Sequence, residues 1–240
     1  MRDEIVLPQK LASAVLTFRG DANGDVAPIR KIMGPKSQLE NNSVLAVDPV
    51  HGEIVVPQPN AILEFDTASN GDVPPIRVIK GPDTMLRGNG NVLVDPVHNV
   101  IIATGFGRGG GNGENGGGGQ MLIFDRTANG NVKPLRVITG PTVGLGLANY
   151  APKGWILARM VRTTPTTRKN AEDDRESYVG VWHVNDNGNV PPHFTIGGPS
   201  PATATRRPHG ITIDGKNKSV VISDNDLNAI FTYEVPELFD

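Results

Sequence analysis

The chain contains no cysteine. Disulfides and thiolate chemistry are therefore excluded, and the redox compartment leaves no mark on the composition. A surplus of charge is also missing. The formal net charge is −2, so no bulk electrostatic pull toward nucleic acid or an anionic membrane surface is expected. No stretch approaches the roughly 18 apolar residues of a membrane helix, so no membrane span is expected. The opening MRDEIVLPQK lacks the form of a signal peptide. That start fits a cytoplasmic protein, a mature chain or a truncated beginning; a secreted or periplasmic setting is the expectation. No segment combines a helical period with caps. What the chain does have is glycine (29) and proline (20), placed between short apolar runs, and 38% hydrophobic residues, enough for a core. Many tight turns and short strands point to an all-β fold.

One stretch recurs four times. Phe65 to Pro82 reads FDTASNGDVPPIRVIKGP, Phe18 to Pro35 reads FRGDANGDVAPIRKIMGP, Phe124 to Pro141 reads FDRTANGNVKPLRVITGP, and Trp182 to Pro199 reads WHVNDNGNVPPHFTIGGP. Phe18 lies 47 residues before Phe65, Gly81 lies 59 before Gly140, and Gly140 lies 58 before Gly198. The surplus over 47 falls on Gly105–Gln120 and Thr163–Ser177. A period of about 40–50 residues holding four short strands is the signature of propeller blades.

The clearest period predicts strands over Ser43–Asp48, Glu53–Pro57, Ala61–Asp66 and Pro75–Ile79, with Asn70–Gly71 as a hairpin turn of positive φ. The next predicts Asn91–Asp95, Val100–Thr104, Met121–Asp125 and Pro134–Ile138. The following one predicts Leu145–Tyr150, Trp155–Met160, Tyr178–His183 and His193–Ile196. The first period lacks its first strand and the last lacks a clear fourth.

The run RPHGITIDGKNKSVVISDNDLNAIFTYEV, with its P-x-G-I-x-x-D opening and D-x-x-N-x-I middle, resembles the NHL repeat, and ANGDVAPIRKIMGP resembles the outer half of a bacterial NHL-like repeat. The resemblance covers nearly the whole chain. It implies one propeller domain over 1–240, of four-stranded antiparallel blades. About five blades are present, or a six-bladed ring short of its start. It places GITID-type strands innermost and PIRVI-type strands outermost, with the insertions 105–120 and 163–177 overhanging one rim. Long loops on a rigid scaffold often carry binding. An open ring would leave sheet edges bare and invite an oligomer that completes it.

Most chemistry-bearing residues have structural readings. Asp48, Asp95 and Asp214 follow first strands and are expected to cap their own turns rather than hold metal. His51 and His98 share those turns and are expected to face solvent. The Asn–Gly pairs lack the full calcium-loop pattern and read as hairpin turns. Asp224–Asn225–Asp226 reads as a structural loop. Gly107–Arg108–Gly109–Gly110 lacks the Lys–Ser/Thr of a phosphate cradle. Arg30, Arg77 and Arg136 recur on outer strands and are expected to bond a neighbouring blade.

His209, just before an innermost strand, stands out. The resemblance implies a place near the mouth of the central channel, where propeller lyases and lactonases hold metal ligands or bases. Its companions there are Arg206, Arg207, Arg87, Asn89 and Asn149, a polar and partly basic set without a carboxylate cluster. No catalytic residue, metal ligand or cofactor is assigned. The expected function is a non-catalytic binding module that uses its long-loop face for a protein, glycan or small anionic ligand. A lyase or lactonase-type enzyme near His209 is the alternative.

Overall fold

The computed structural model describes residues 3–88, 90–105, 119–139, 143–161, 177–197, 205 and 208–240. Apart from isolated turns of 3-10 helix, the regular structure is all strand. Five mostly antiparallel sheets form the blades of a β-propeller. The first is β1 (Glu4–Gln9), β2 (Ala14–Arg19) and β3 (Arg30–Ile32), and the second is β4 (Ala46–Asp48), β5 (Glu53–Gln58), β6 (Ala61–Asp66) and β7 (Arg77–Lys80). The third is β8 (Val92–Asp95), β9 (Val100–Gly105), β10 (Gln120–Asp125) and β11 (Arg136–Thr139). The fourth is β12 (Val143–Tyr150), β13 (Trp155–Val161) and β14 (Ser177–His183), continued past the short β15 (Gly188–Asn189) by β16 (Phe194–Ile196). The fifth is β17 (Pro208–Asp214), β18 (Ser219–Asp224) and β19 (Ala229–Glu234). Among the described residues the first sheet lacks the first strand of the repeat and the fifth sheet the fourth, as the repeat predicts.

The chain divides into two compact units, residues 1–105 with 124–135 and residues 106–123 with 136–240. In the first unit a core of Val15, Ile32, Leu39, Ile54, Val56, Leu63 and Phe65 lies between the first and second blades. In the second unit Ala148, Leu157, Val179, Val181, Ile196, Val220, Ile222 and Leu238 fill the space between the fourth and fifth. Each strand supplies alternate side chains to these cores, the period-two pattern of a pleated sheet.

The outer strands begin later than expected, at Arg77 rather than Pro75. Pro75 has no N–H for the ladder. The Ile76 N–H donates to the Glu64 carbonyl just before regular pairing starts.

The Asn–Gly stretches are not simple hairpin turns. Gly71 and Gly130 take positive φ (83° and 85°), as an Asn–Gly turn requires. Yet each sits midway along a connection of some ten residues and docks on the outer strand of the blade before it. Gly71 bridges Ile32 in parallel, Gly130 bridges Ile79, and β15 pairs with Ile138 and Thr139 of β11. The Gly71 N–H donates to the Lys31 carbonyl at 2.7 Å, and the Gly130 N–H to the Val78 carbonyl at 2.7 Å. The preceding asparagine completes the clasp: Asn70, Asn129 and Asn187 Oδ1 accept from the Lys31, Val78 and Val137 amides at 2.9, 2.9 and 3.0 Å. Two residues on, Asp72 and Asn131 Oδ1 accept from Lys36 and Asp83 N–H at 2.8 and 2.9 Å. Gly34 and Gly81 of the Gly–Pro pairs must be glycine there. Their φ is 128° and 137°, and a Cβ would stand 2.5 Å from Asp72 Cγ and Asn131 Cγ. The repeated signature is therefore a blade-to-blade fastening, with donors and acceptors paired rather than left bare on a sheet edge.

Candidate functional site

The turn aspartates behave as their spacing predicts. Asp48 Oδ1 accepts from the Val50 and His51 amides, Asp95 Oδ1 from Val97 and His98, and Asp214 Oδ1 from Lys216 and Asn217. Asp224 Oδ1 accepts from Asp226 and Leu227 in the same way. His51 is exposed and His98 half-buried, and Nδ1 of each ring meets the buried aspartate, at 2.7 Å from Asp48 Oδ2 and 2.9 Å from Asp95 Oδ2. Among the described residues no group of three His, Asp or Glu side chains could hold a metal ion.

His209 is exposed on β17, where the register shifts between Pro208 and Ile211; the next amide, of Gly210, donates to Ser223 Oγ at 2.9 Å. Asn149 is half-buried on β12, which packs beside β17 in the second unit. Arg87 is exposed in the first unit, after the short 3-10 turn Pro82–Thr84. Arg206, Arg207 and Asn89 lie outside the described residues, as do 106–118 and 162–176 within the two insertions.

The recurring arginines divide. Arg30 Nε donates to the Thr67 carbonyl of the next blade at 3.0 Å, and Arg136 Nε to the Val184 carbonyl at 2.6 Å. Arg77 instead turns into its own blade, where it meets Glu53 and donates to Glu64 Oε2 at 2.6 and 2.9 Å. Glu64 is fully buried, and its Oε1 has no hydrogen-bond partner among the described residues. Burial pushes the Glu64 carboxyl up to about 7 against the pull of Arg77.

A second arginine, Arg126, completes this cluster. Its Nη1 donates to Glu53 Oε2 at 2.5 Å and its Nε to Asn99 Oδ1 at 2.8 Å, while Nε lies 4.0 Å from Asp48 Oδ2. It is 9% exposed, so this is a desolvated guanidinium held between two blades. The corresponding place one blade earlier is open. A cleft of about 500 Å³ lies between the first and second blades, lined by Glu4, Val6, Val47, Pro49, Val50, His51, Gly52, Asp66 and Thr67. Thr67 stands where Arg126 stands: the Thr67 N–H donates to the Gly52 carbonyl at 2.8 Å, as the Arg126 N–H does to the Asn99 carbonyl at 2.9 Å. Gly52 likewise replaces Asn99. These residues escape a reading of the sequence by motif, although Glu4 and Glu53 open matching EIV-L/V-PQ runs and Glu64 breaks an apolar AILEF strand.

No family model matches the sequence, and no curated protein matches it. Among solved structures the chain is similar to Kuenenia stuttgartiensis Hydrazine Synthase, a propeller protein, with a TM-score of 0.66 and 13% identity. The match covers 97% of this chain and 61% of that one, so this chain spans about three-fifths of its length. At that identity the likeness shows the fold alone.

Proposed function

We propose that the chain is a non-catalytic binding module of the NHL-like propeller type. Its two long connections, over 105–120 and 163–177, engage a protein, a glycan or a small anionic ligand. The observation that carries this reading is the use made of the ionisable groups. Asp48 holds His51, Asp95 holds His98, and Glu53 and Glu64 hold Arg77 and Arg126, so these groups serve as fastenings of a rigid scaffold. Both insertions interrupt the connection between a second and a third strand, and long connections on a rigid scaffold often carry binding.

The test uses the full chain against a glycan array and against inorganic phosphate, sulfate and citrate by calorimetry. Replacing 163–176, or separately 106–118, by a glycine–serine linker of equal length should remove binding and leave the melting temperature unchanged. Undiminished binding in both replacements would contradict the reading. A bound divalent ion with hydrolytic or lyase turnover, both lost in His209→Ala, would favour the enzyme alternative.

A further inference from the structure

We propose that the cleft between the first two blades binds an arginine side chain of a partner polypeptide, its guanidinium taking the seat beside Glu4 that Arg126 takes beside Glu53. Three observations lead there. The first is the matched carboxylate. Glu4 meets Arg30 through Oε2 as Glu53 meets Arg77 through Oε1, and the second oxygen of Glu53 receives Arg126. The second oxygen of Glu4 receives no hydrogen bond among the described residues, in a side chain only 15% exposed. A half-buried carboxylate with one free oxygen favours a cationic donor over water.

The second observation is room of the right kind. Thr67 for Arg126 and Gly52 for Asn99 leave a void where the next blade has a guanidinium and its amide partner. Val6, Val47 and Val50 line it, which suits the methylenes of an arginine stem, and Asp66 adds a second carboxylate. The third is the pairing of residue types along the repeat. Where the seat position is Val184, the position matching Glu53 is Val100. The carboxylate accompanies an arginine at the seat in one copy, both are absent in another, and Glu4 is the carboxylate whose seat position holds Thr67. The described residues that line this cleft include none of the two long connections, and it prefers the opposite charge from an anionic ligand, so either proposal can fail alone.

The experiment titrates acetyl-Gly-Arg-Gly-amide into the full chain, followed by amide chemical shifts and calorimetry. A citrulline peptide of the same shape and methylguanidine serve as the other arms. The arginine peptide should bind saturably and shift the amides of Val6, Gly52 and Thr67. The citrulline peptide should bind about tenfold more weakly or worse, since it lacks the charge-assisted bonds. Methylguanidine, without the stem, should also be weaker; binding as tight as the peptide's would contradict a polypeptide occupant. Thr67→Arg should fill the seat, abolish binding and raise the melting temperature. Glu4→Gln should weaken binding about tenfold. Should either variant fail to fold, the other decides. No saturable shift, equal binding of the citrulline peptide, or full binding in the folded variants would overturn the proposal.

Discussion

Glu4–Gln9 and Glu53–Gln58 read EIVLPQ and EIVVPQ, and differ at one position. Their environments differ far more. Ile54 and Val56 are 1% and 0% exposed, packed with Val15, Ile32 and Leu39 of the blade before, whereas Ile5 and Leu7 are 41% and 46% exposed. The hexapeptide dictates a strand and its alternation; whether a face is core depends on what stands opposite. The same holds for charge. Glu53 is closed in by two arginines, Glu4 by one. A propeller built from near-copies thus carries its own controls, and differences between copies show which contacts are structural.

The sharpest way to break the comparison is to make the second pair of blades resemble the first. Arg126→Thr leaves Glu53 buried with a missing partner, which should cost about 3–5 kcal/mol in urea unfolding. A loss below about 1 kcal/mol would show that the guanidinium is not a fastening. Next is the apolar face. Ile54→Ala should cost roughly 2–5 kcal/mol by cavity formation, and Ile5→Ala less than about 1 kcal/mol. Equal costs would mean that β1 is covered in solution.

The third effect is smaller and depends on pH. Thr17 occupies in β2 the position of Glu64 in β6, so of the first two blades only the second carries a carboxyl at that place. The folded Glu64 holds its proton to about pH 7, while the unfolded group releases it near the ordinary value of 4.5. The stabilisation from that proton is therefore complete below about pH 4.5 and is lost as pH rises toward 7. The loss should be on the order of 1–3 kcal/mol. Glu64→Thr should lose less stability than the parent chain over that interval; parallel profiles would contradict the shift.

Much of this architecture was legible in the residues. Ala61–Asp66 folds over its predicted bounds, and β9, β13 and β14 differ from theirs by a residue at an end, because short apolar runs and the turn residues that bound them agree locally. The Asn–Gly element is legible as a repeated turn, but its docking on the preceding blade is not. Local turn chemistry shows that Gly71 can take positive φ, but not that Asn70 will meet Lys31, 39 positions earlier. The cleft was hidden for the same reason. Glu4 and Thr67 are ordinary residues until the fold sets two blades face to face and Arg126 shows what fills the equivalent seat. Of the expected His209 set, His209 and Asn149 lie on neighbouring strands of the second unit, and Arg87 is exposed in the first.

Amide hydrogen exchange on the intact chain tests the blade fastening most directly, because three copies of one turn are compared within one molecule. The Gly71 and Gly130 amides, each bonded to a carbonyl of the preceding outer strand, should be strongly protected. The Gly24 amide stands in the same Asn–Gly–Asp sequence but donates no hydrogen bond among the described residues, and it should exchange at the rate of an open loop. Equal protection at Gly24, Gly71 and Gly130 would contradict the fastening.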